Sequence, residues 1–507
     1  MSLVLFPLLL AGLLVSHVGP CTSEKVAIVG GGVGGAAAAY YLHKADGHAE
    51  IHLFEREQRL GGTLQEVTFE GRVVELGHPV FHKKNKLSAQ LVEELGLETA
   101  VPQGLDGSYG IFDGESFVYR EGANDTNADD WRRFFKYLTR YTLNIRGMKF
   151  NIQAYLENWE KLLDDPPFED VPDLLDMVNM VEKATYTLAQ DLADSYGALT
   201  LRDFGAASTR FVLGQDPPIV NSVAAHQALS VSRACRADQL WSVKGGAKQL
   251  VQKLVDQSKA TVHLGHDVNG IDARADGVYE VRHKGGGKTV SEAFDVVIIS
   301  APLDPDELAL PDGVDAGPDI DWLDQEVTLV KGTLNQTTFK VGKNETLPDV
   351  IATVDTVFFP IHALRRLWTF PDGEHAFLVT MAEKMTDEMV NDCFSHVSKI
   401  KRMTLENVWP DLSAKGKGAK YPPIQLDGKK LLFPAAVESV VSGLEATIIS
   451  ARNAVRLLLE PKEAPIEESV VAVEEATERV NVGKVPEHVL GEKTGAETAD
   501  LPDRTEL

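Results

Sequence analysis

The chain has 507 residues, of which 44% are hydrophobic and 25% are charged, and its formal net charge is −25. This composition is typical of a globular protein, and the length allows two or three domains with a large core. An acidic surface of this size repels nucleic acid and anionic membranes, so neither is expected as a partner.

The chain begins with an apolar run from Leu3 to Val15, followed by small and polar residues. A membrane-spanning helix needs roughly 20 apolar residues, so this run is too short, and no later segment is long and apolar enough. The pattern favours a cleaved signal peptide over residues 1–22, with an uncleaved anchor or a buried first strand as alternatives. We therefore expect a protein of the secretory pathway, either lysosomal or extracellular.

Glycosylation sequences and cysteines bear on the same question of compartment. Behind a signal peptide, Asn-X-Thr sequences become plausible glycan acceptors on surface loops. They begin at Asn124, Asn335 and Asn344. The cysteines are too few for a disulfide scaffold, so the last two either pair or remain buried thiols. They are Cys21, Cys235 and Cys393.

A glycine-rich turn follows the first predicted strand, VAIV at residues 26–29, and precedes a predicted helix, AAAAYYLHK at residues 36–44. Gly30, Gly32 and Gly35 in this turn have the spacing GxGxxG. The first glycine permits the turn, and the second lets the backbone approach a pyrophosphate at the helix N-terminus. The third lets helix and strand pack closely.

The second predicted strand, AEIHLFE, ends on Glu55. This acid follows the last glycine by about 20 residues, which is where a carboxylate binds the hydroxyls of an unphosphorylated ribose. The whole pattern predicts a dinucleotide site for FAD or NAD rather than NADP. An ordinary glycine-rich turn is the alternative.

The next residues favour FAD over NAD. Gly61 and Gly62 resemble the second fingerprint of FAD amine oxidases, which usually reads GGR, but Thr63 stands here in place of the arginine. The sequence VELGH then resembles their E-x-G-G motif, which approaches the flavin side of the cofactor. Gly77 is kept, whereas His78 replaces the second glycine.

Three later segments are predicted to return to the cofactor domain. His263–His283 predicts two strands around a turn, Asp295–Pro302 predicts a buried strand, and Leu431–Leu459 predicts a short strand, a turn and a long amphipathic helix. Such segments resemble those of FAD enzymes with the glutathione-reductase fold, in which the first lies near the adenine and the helix points its N-terminus at the flavin. The resemblance assigns Val268, Glu438 and Glu445 to the cofactor.

The remaining segments are predicted to form a cap or substrate domain and a tail. The FAD-binding domain is predicted in three parts, at 23–127, 241–319 and 421–460. A mostly helical substrate region at 128–240 and a substrate domain at 320–420 lie between these parts. The signal peptide takes residues 1–22, and an acidic, disordered tail takes residues 461–507. Aromatic residues in the helical region indicate either helix packing or an apolar pocket. They are Trp131, Phe134, Phe135, Tyr137, Tyr141, Phe150, Tyr155 and Trp159.

Two further patterns do not indicate chemistry. GGGKT at residues 285–289 lacks the earlier glycine of a phosphate-binding loop, so a turn between two strands is expected. The histidine pairs His78/His82 and His263/His266 have no cysteine or carboxylate set at metal-site spacing, so no metal is expected.

Several segments together resemble the prenylcysteine oxidase family, also called farnesylcysteine lyases, over about residues 25–459. Besides the two fingerprints they are STRFVLGQ at 208–215, LWSVKGGAKQLV at 240–251, FDVVIISAPLD at 294–304, TLVKGTLN at 328–335 and AVESVVSGLEA at 436–446. The resemblance implies an α/β fold: a discontinuous FAD-binding Rossmann domain of the glutathione-reductase and amine-oxidase type, with an inserted α+β substrate domain. It also assigns Trp241 to the FAD site.

The resemblance implies oxidation of a thioether. FAD takes a hydride from the carbon beside sulfur in farnesyl- or geranylgeranyl-cysteine, water adds, and the adduct gives cysteine and a prenyl aldehyde, while dioxygen becomes hydrogen peroxide. Such a reaction would serve the degradation of prenylated proteins. No strong general base is required, and Arg210 and Gln215 are the candidate anchors for the substrate's polar head.

The departures at Thr63 and His78 leave two alternatives open. One is another FAD oxidase of the amine-oxidase superfamily, and the other is a secreted binding paralogue with impaired catalysis.

Overall fold

The computed structural model describes residues 24–121, 139–141, 144–233, 237–342, 345–354 and 359–459, and every structural statement below concerns these ranges. The strands within them are β1 Lys25–Val29, β2 Glu50–Glu55, β3 Glu66–Phe69, β4 Arg72–Glu75, β5 Phe81–His82, β6 Thr99–Ala100, β7 Tyr109–Phe112, β8 Phe117–Glu121, β9 Leu240–Val243, β10 Thr261–Leu264, β11 Asp267–Ala273, β12 Tyr279–Gly285, β13 Lys288–Phe294, β14 Val296–Ile299, β15 Trp322–Leu334, β16 Val350–Thr353, β17 Ile361–Thr369, β18 His375–Met381, β19 Phe394–Pro410 and β20 Leu431–Leu432. The helices are α1 Val33–Ala45, α2 Lys86–Glu94, α3 Asn144–Lys161, α4 Val171–Met177, α5 Val181–Thr185, α6 Leu188–Thr200, α7 Ala206–Leu213, α8 Ser222–Val231, α9 Lys248–Ser258, α10 Asp387–Cys393 and α11 Leu444–Leu459.

A five-stranded parallel sheet carries the glycine-rich turn. Its order is β10-β2-β1-β14-β20, so its strands come from three widely separated parts of the chain. The central strands VAIV and VVII are buried on both faces, as expected for β-branched runs in a parallel sheet with helices packed on it. This arrangement confirms the discontinuous Rossmann domain predicted from the sequence.

Helices α1, α9 and α11 pack together beside this sheet, with α1 contacting both of the others. Strands β11, β12 and β13 form a separate antiparallel sheet. The two strands around a turn predicted over His263–His283 are confirmed as β11 and β12, which pair antiparallel, and the segment also includes the end of β10. The turn predicted within GGGKT is confirmed, since Gly285 pairs with Lys288 where β12 and β13 meet.

A seven-stranded sheet, in the order β19-β15-β18-β17-β16-β7-β8, forms the second large layer. It is antiparallel except where β16 and β7 run parallel. Strands β7 and β8 lie within residues 23–127, which the sequence boundaries place in the FAD-binding domain. Alternate residues along β15 and β18 enter two different apolar clusters, so both faces of this sheet are covered.

The aromatic residues of the helical region are partly described. Tyr141, Tyr155 and Trp159 are buried in the largest apolar core, which matches helix packing, whereas Phe150 on α3 is 72% exposed. Trp131, Phe134, Phe135 and Tyr137 lie outside the described residues.

Predictions about the two chain ends and the glycosylation sites are mostly untested by the structure. The signal peptide, the acidic tail, Asn124, Asn344 and Cys235 fall outside the described ranges. Cys393 is buried. Asn335 follows β15 and donates its side-chain N–H to the carbonyl of Asp392, at 3.1 Å. Among the described helices, none has the length and apolar character needed to cross a membrane.

Candidate functional site

The glycine-rich turn connects β1 to α1 and brings its backbone to one end of the parallel sheet. Gly30 has a φ of +105°, a conformation that side-chain-bearing residues rarely adopt, and a Cβ there would lie 2.7 Å from the carbonyl oxygen of Ser300. Gly32 is the N-cap of α1 and has no side chain to satisfy the first N–H groups of the helix. These donors and the helix dipole make the turn a site for an anion.

Gly35 lies inside the first turn of α1 and allows that helix to pack directly on the loop. A Cβ at Gly35 would lie 1.9 Å from the carbonyl oxygen of Gly30, closer than any real contact. The third glycine therefore serves packing of helix on strand, the role expected from its spacing, and its backbone does not line the cavity described below.

The carboxylate of Glu55, at the end of β2, holds the same loop in place. One oxygen accepts the backbone N–H of Gly31 at 2.7 Å, and the other accepts that of Glu57 at 2.8 Å. The carboxylate also lines the cavity, and its oxygens retain lone pairs beyond these two bonds. Glu55 can therefore position the loop and bind a ribose hydroxyl at once.

The second glycine pair lies against the first glycine motif. The Gly61 N–H donates to the carbonyl oxygen of Gly31 at 2.9 Å, and a Cβ on Gly62 would lie 3.1 Å from the Cα of Gly32. Close backbone contact between the two motifs explains why both are glycine-rich. Gly62 lines the cavity, whereas Gly61 does not.

A cavity of about 550 Å³ extends from this turn, within the size range of small-molecule and cofactor sites. Most of the cofactor residues predicted from the sequence line it. They are Gly30, Gly32, Glu55, Gly62, Gly77, Val268 and Glu438. The two departures, Thr63 and His78, line it as well, together with Ala435.

His78 faces the cavity as a neutral imidazole. Its Nε2 lies 2.9 Å from the carbonyl oxygen of Val231, so Nε2 carries the proton and Nδ1 is left as an acceptor. Burial and the neighbouring Arg365 guanidinium lower its pKa to about 3. Arg365 is itself fixed by a 3.0 Å bond to the carbonyl oxygen of Gly77. The residue that replaces a glycine therefore presents an uncharged hydrogen-bond acceptor throughout the neutral pH range.

Glu438 lies in the helical turn before α11, where it is half-buried and faces the cavity. Removal from bulk water raises its pKa to about 7, and its carboxyl accepts a hydrogen bond from the Thr447 hydroxyl, at 3.2 Å. The carboxyl is therefore protonated in a large fraction of molecules at neutral pH and can then donate a hydrogen bond into the cavity.

This raised pKa predicts a pH-dependent stability of the cofactor-free protein. Between the usual pKa of 4.5 and the folded value of about 7, the unfolded carboxyl ionises while the folded one keeps its proton. Unfolding is therefore favoured as pH rises through this window, and the contribution present below pH 4.5 is lost. We expect Glu438→Gln to remove about 2 kcal/mol of this pH dependence, allowing for screening by water in the cavity. Urea unfolding at pH 4.5 and pH 8 gives the change in the free energy of unfolding between the two pH values. The same change in the variant and in the unchanged protein would contradict the raised pKa of Glu438.

Two other residues assigned to the cofactor lie away from the cavity. Trp241, on β9, stacks on Phe81 with ring centroids 4.4 Å apart and donates to the carbonyl oxygen of His82. Glu445, in the first turn of α11, is 6% exposed and accepts the backbone N–H groups of Leu87 and Ser88, at 3.1 and 2.9 Å. Trp241 therefore joins β9 to β5, and Glu445 joins α11 to α2.

The two candidate substrate anchors also have their polar groups engaged elsewhere. Arg210 is fully buried and donates to the carbonyl oxygens of Phe359 and Ile361, at 3.2 and 3.0 Å. Gln215 donates to the carbonyl oxygen of Pro410 and accepts the N–H of Leu412, at 2.9 and 3.0 Å. Neither side chain lines the cavity, so both join α7 and its following loop to the seven-stranded sheet.

Several lining residues were not identified from the sequence. Ser300 follows β14, and its buried hydroxyl has no partner in the described part of the chain, so it is available to a ligand. Its position after a parallel strand was the signal that could have identified it. Arg59 lies before the glycine pair. Trp322 and Trp409 come from paired ends of β15 and β19, and no local spacing indicates that they meet.

The cavity fits a dinucleotide on these observations. A Cβ at Gly32 would find only Gly62 nearby, at 3.7 Å, so the backbone there is open to a ligand. The unpartnered Ser300 hydroxyl and the first N–H groups of α1 supply donors for a diphosphate, and Glu55 supplies an acceptor for a ribose. Within the described ranges, no three histidine, cysteine or carboxylate side chains are arranged to hold a metal ion.

Comparison with protein families gives two matches along the chain. Residues 28–95 match the NAD(P)-binding Rossmann-like domain, and residues 124–468 match prenylcysteine lyase. The farnesylcysteine lyase of Arabidopsis thaliana is 25% identical over 452 residues, covering 86% of this chain and 88% of that protein. Human prenylcysteine oxidase 1 is 27% identical over 472 residues, again covering 86% and 88%.

A solved structure supports the fold. A double mutant of putrescine oxidase, redesigned in its cofactor binding, aligns with a TM-score of 0.57 and 14% identity, covering 86% of this chain and 99% of that one. At this identity the similarity concerns the fold alone.

The fold and the double glycine fingerprint define a dinucleotide-dependent protein of the amine-oxidase architecture, and its cofactor is FAD. Because the second family match extends over more than half of the sequence, the chain belongs to the prenylcysteine lyase family. This confirms the family and the cofactor predicted from the sequence.

Proposed function

We propose that the protein is an FAD-dependent oxidase that cleaves the thioether of farnesyl- or geranylgeranyl-cysteine. Its place would be the degradation of prenylated proteins, in the lysosome or outside the cell. The observation that carries the proposal is a single cavity that continues from the dinucleotide cradle to the segments of the prenylcysteine lyase match, including Trp322 and Trp409. Relatives named for the farnesyl- and prenylcysteine reactions support the choice of substrate.

The overall reaction balances with water and dioxygen. FAD, when bound, supplies the two-electron chemistry, because it accepts a hydride from the carbon next to sulfur and passes the electrons to dioxygen. The carbon–sulfur bond breaks and a carbon–oxygen bond forms with water. The products are cysteine, a prenyl aldehyde and hydrogen peroxide.

The chain's own residues bind and orient the substrate rather than acting as strong bases. The lowered pKa of His78 makes its imidazole a poor proton acceptor, so its role is to accept a hydrogen bond. The apolar side chains of the lining can hold an isoprenoid tail away from water. They include Leu64, Leu76, Ile320, Trp322, Val408 and Trp409.

A test follows peroxide formation by the purified, FAD-loaded protein. We expect peroxide and free cysteine in equal amounts from farnesylcysteine. S-dodecylcysteine, which matches the chain length but lacks the allylic double bond, should react far more slowly, because only sulfur is left to share the developing positive charge. Bound flavin without peroxide from either prenylcysteine would contradict the proposed function.

Oxidation of an amine is the second candidate, and the acidic lining favours it. Asp319, Asp321 and Glu406 line the cavity and are close in sequence to the two tryptophans, and carboxylates attract a cationic substrate. A panel of primary amines in the same peroxide assay separates the candidates. Peroxide from an amine but not from farnesylcysteine would favour this alternative.

The expected compartment is tested by expressing the full chain in cultured animal cells. We propose that it enters the secretory pathway. Protein in the medium or in lysosomes, with its N-terminus after residue 22 or nearby and with sugar on at least one Asn-X-Thr sequence, supports this. A chain that keeps Met1 and stays in the cytosol would contradict it.

A further inference from the structure

The charge of the cavity raises a problem for a ligand that carries a diphosphate. Eight carboxylate side chains line it, and they are Glu55, Glu57, Asp267, Asp304, Glu307, Asp319, Asp321 and Glu406. Glu438 lines it too, but with a pKa of about 7 it carries only part of a charge at neutral pH. Only two guanidinium groups line it, those of Arg56 and Arg59. Like charges repel in a partly dehydrated site, so these carboxylates disfavour a bound diphosphate. The backbone donors of the glycine turn would have to overcome this repulsion alone. A cation close to the turn would offset it.

The two arginines differ in their partners. Arg56 forms an ion pair with Glu307 at 3.1 Å, and both side chains are more than half exposed. Arg59 has no carboxylate within ion-pair distance among the described residues, and it is partly buried. One of its N–H groups donates to the carbonyl oxygen of Gly62 at 3.1 Å. Its positive charge is therefore fixed in place without being neutralised by a side chain.

The anchor of Arg59 places its charge beside the cradle. Gly62, whose carbonyl holds the guanidinium, lies against Gly32, with Gly62 Cα 3.7 Å from the position of a Cβ on Gly32. Gly32 is the residue at which the backbone approaches the pyrophosphate. Thr63 follows this glycine pair, at the position where the fingerprint usually has an arginine. Arg59 thus holds a positive charge at the glycine pair, where Thr63 supplies none.

We propose that Arg59 binds the diphosphate of FAD and takes the place of the arginine that Thr63 replaces in the second fingerprint. A guanidinium held by one N–H on a carbonyl has four others left, which suits bidentate binding of phosphate oxygens. The inference rests on the FAD assignment and does not depend on which substrate is oxidised.

The test titrates the cofactor-free full chain with FAD and follows the quenching of flavin fluorescence. Arg59→Gln should raise the Kd for FAD by about 10- to 100-fold, the range expected for loss of a charged hydrogen bond. Arg56→Gln, a matched loss of charge in the same lining, should change the Kd by less than about threefold, because that arginine pairs with an exposed carboxylate. The Kd for riboflavin, which lacks the diphosphate, should be the same in all three proteins.

A second variant restores the charge from the other side. Arg59→Gln combined with Thr63→Arg should recover most of the FAD affinity, and Arg59→Lys should keep more of it than Arg59→Gln. Circular dichroism of each cofactor-free variant checks that it is folded. An Arg59→Gln protein that is folded and binds FAD as tightly as the unchanged chain would overturn the inference, as would equal weakening of riboflavin.

The result is separable from the reaction. If Arg59→Gln binds FAD more weakly but forms peroxide from farnesylcysteine at the normal rate once saturated with FAD, the inference is supported and the proposed function is also kept. If the unchanged protein binds no FAD, the cofactor assignment and this inference are both overturned. Weaker FAD binding by the variant, with no peroxide from any prenylcysteine in either protein, supports the inference while contradicting the proposed function.

Discussion

Replacing Gly35 with alanine is expected to disrupt the cofactor domain and to abolish FAD binding. The new methyl carbon would lie 1.9 Å from the carbonyl oxygen of Gly30, and neither can turn aside, because the backbone at both residues is fixed between β1 and α1. Relief requires α1 to move away from the sheet, at a cost of about 3 kcal/mol or more. The turn that presents the diphosphate donors would be displaced with it.

Gly34 provides the matched control for this substitution. A Cβ there would lie 3.3 Å from the methyl carbon of Thr447, a side chain that can give way, and alanine favours the helix more than glycine does. We expect Gly34→Ala to fold and to bind FAD, with a stability within about 1 kcal/mol of the unchanged protein. Thermal unfolding and FAD titration of both variants make the comparison. Equal behaviour of the two variants would contradict this account of the third glycine.

Replacing Glu445 with alanine is expected to destabilise the protein by about 3 kcal/mol while leaving FAD affinity nearly unchanged. The carboxylate of this residue, in α11, accepts two backbone N–H groups from the first turn of α2, those of Leu87 and Ser88, and also the Ser88 hydroxyl. Alanine leaves these donors buried without a partner. It also removes a negative charge from a helix N-terminus, where such a charge is favourable.

Glutamine at the same position separates the loss of the charge from the loss of the acceptor atoms. Glu445→Gln keeps the shape and one acceptor oxygen but loses the charge, so we expect about half the loss seen with alanine. Urea unfolding of the cofactor-free variants gives the stabilities, and FAD titration of the folded proteins gives the affinities. A large loss of affinity with normal stability would support the role in cofactor binding that the sequence resemblance assigned to Glu445.

Sequence reasoning was most successful where function depends on neighbours along the chain. The backbone of Gly30, Gly32 and Gly35 lies beside the carboxylate of Glu55. Their spacing predicts this, because β1, α1 and β2 are consecutive along the chain. Glu438 was assigned by the family resemblance, and it lies six residues before α11 begins. In each case a short segment positions the residue by itself.

The sequence was least informative about polar residues buried between elements. The family resemblance assigned Arg210, Gln215 and Glu445 to ligands, but a buried charged or amide side chain needs a partner of any kind. That partner proved to be a backbone group from a distant element rather than a substrate or cofactor. Only the pairing of elements distinguishes these cases. Trp409 was missed because its approach to the cavity depends on the register between β15 and β19, which are distant in sequence.

The order of strands in the parallel sheet has a consequence for biosynthesis. Strand β20 pairs with β14, and Glu438 and α11 follow it, so the chain must be made to about its last tenth before the site is complete. Contacts so distant in sequence form slowly, and the partly made chain exposes an unpaired β14 edge in the meantime. We therefore expect FAD to bind tightly only after β20 and α11 have been made, when the first and last strands of the described chain lie in one sheet.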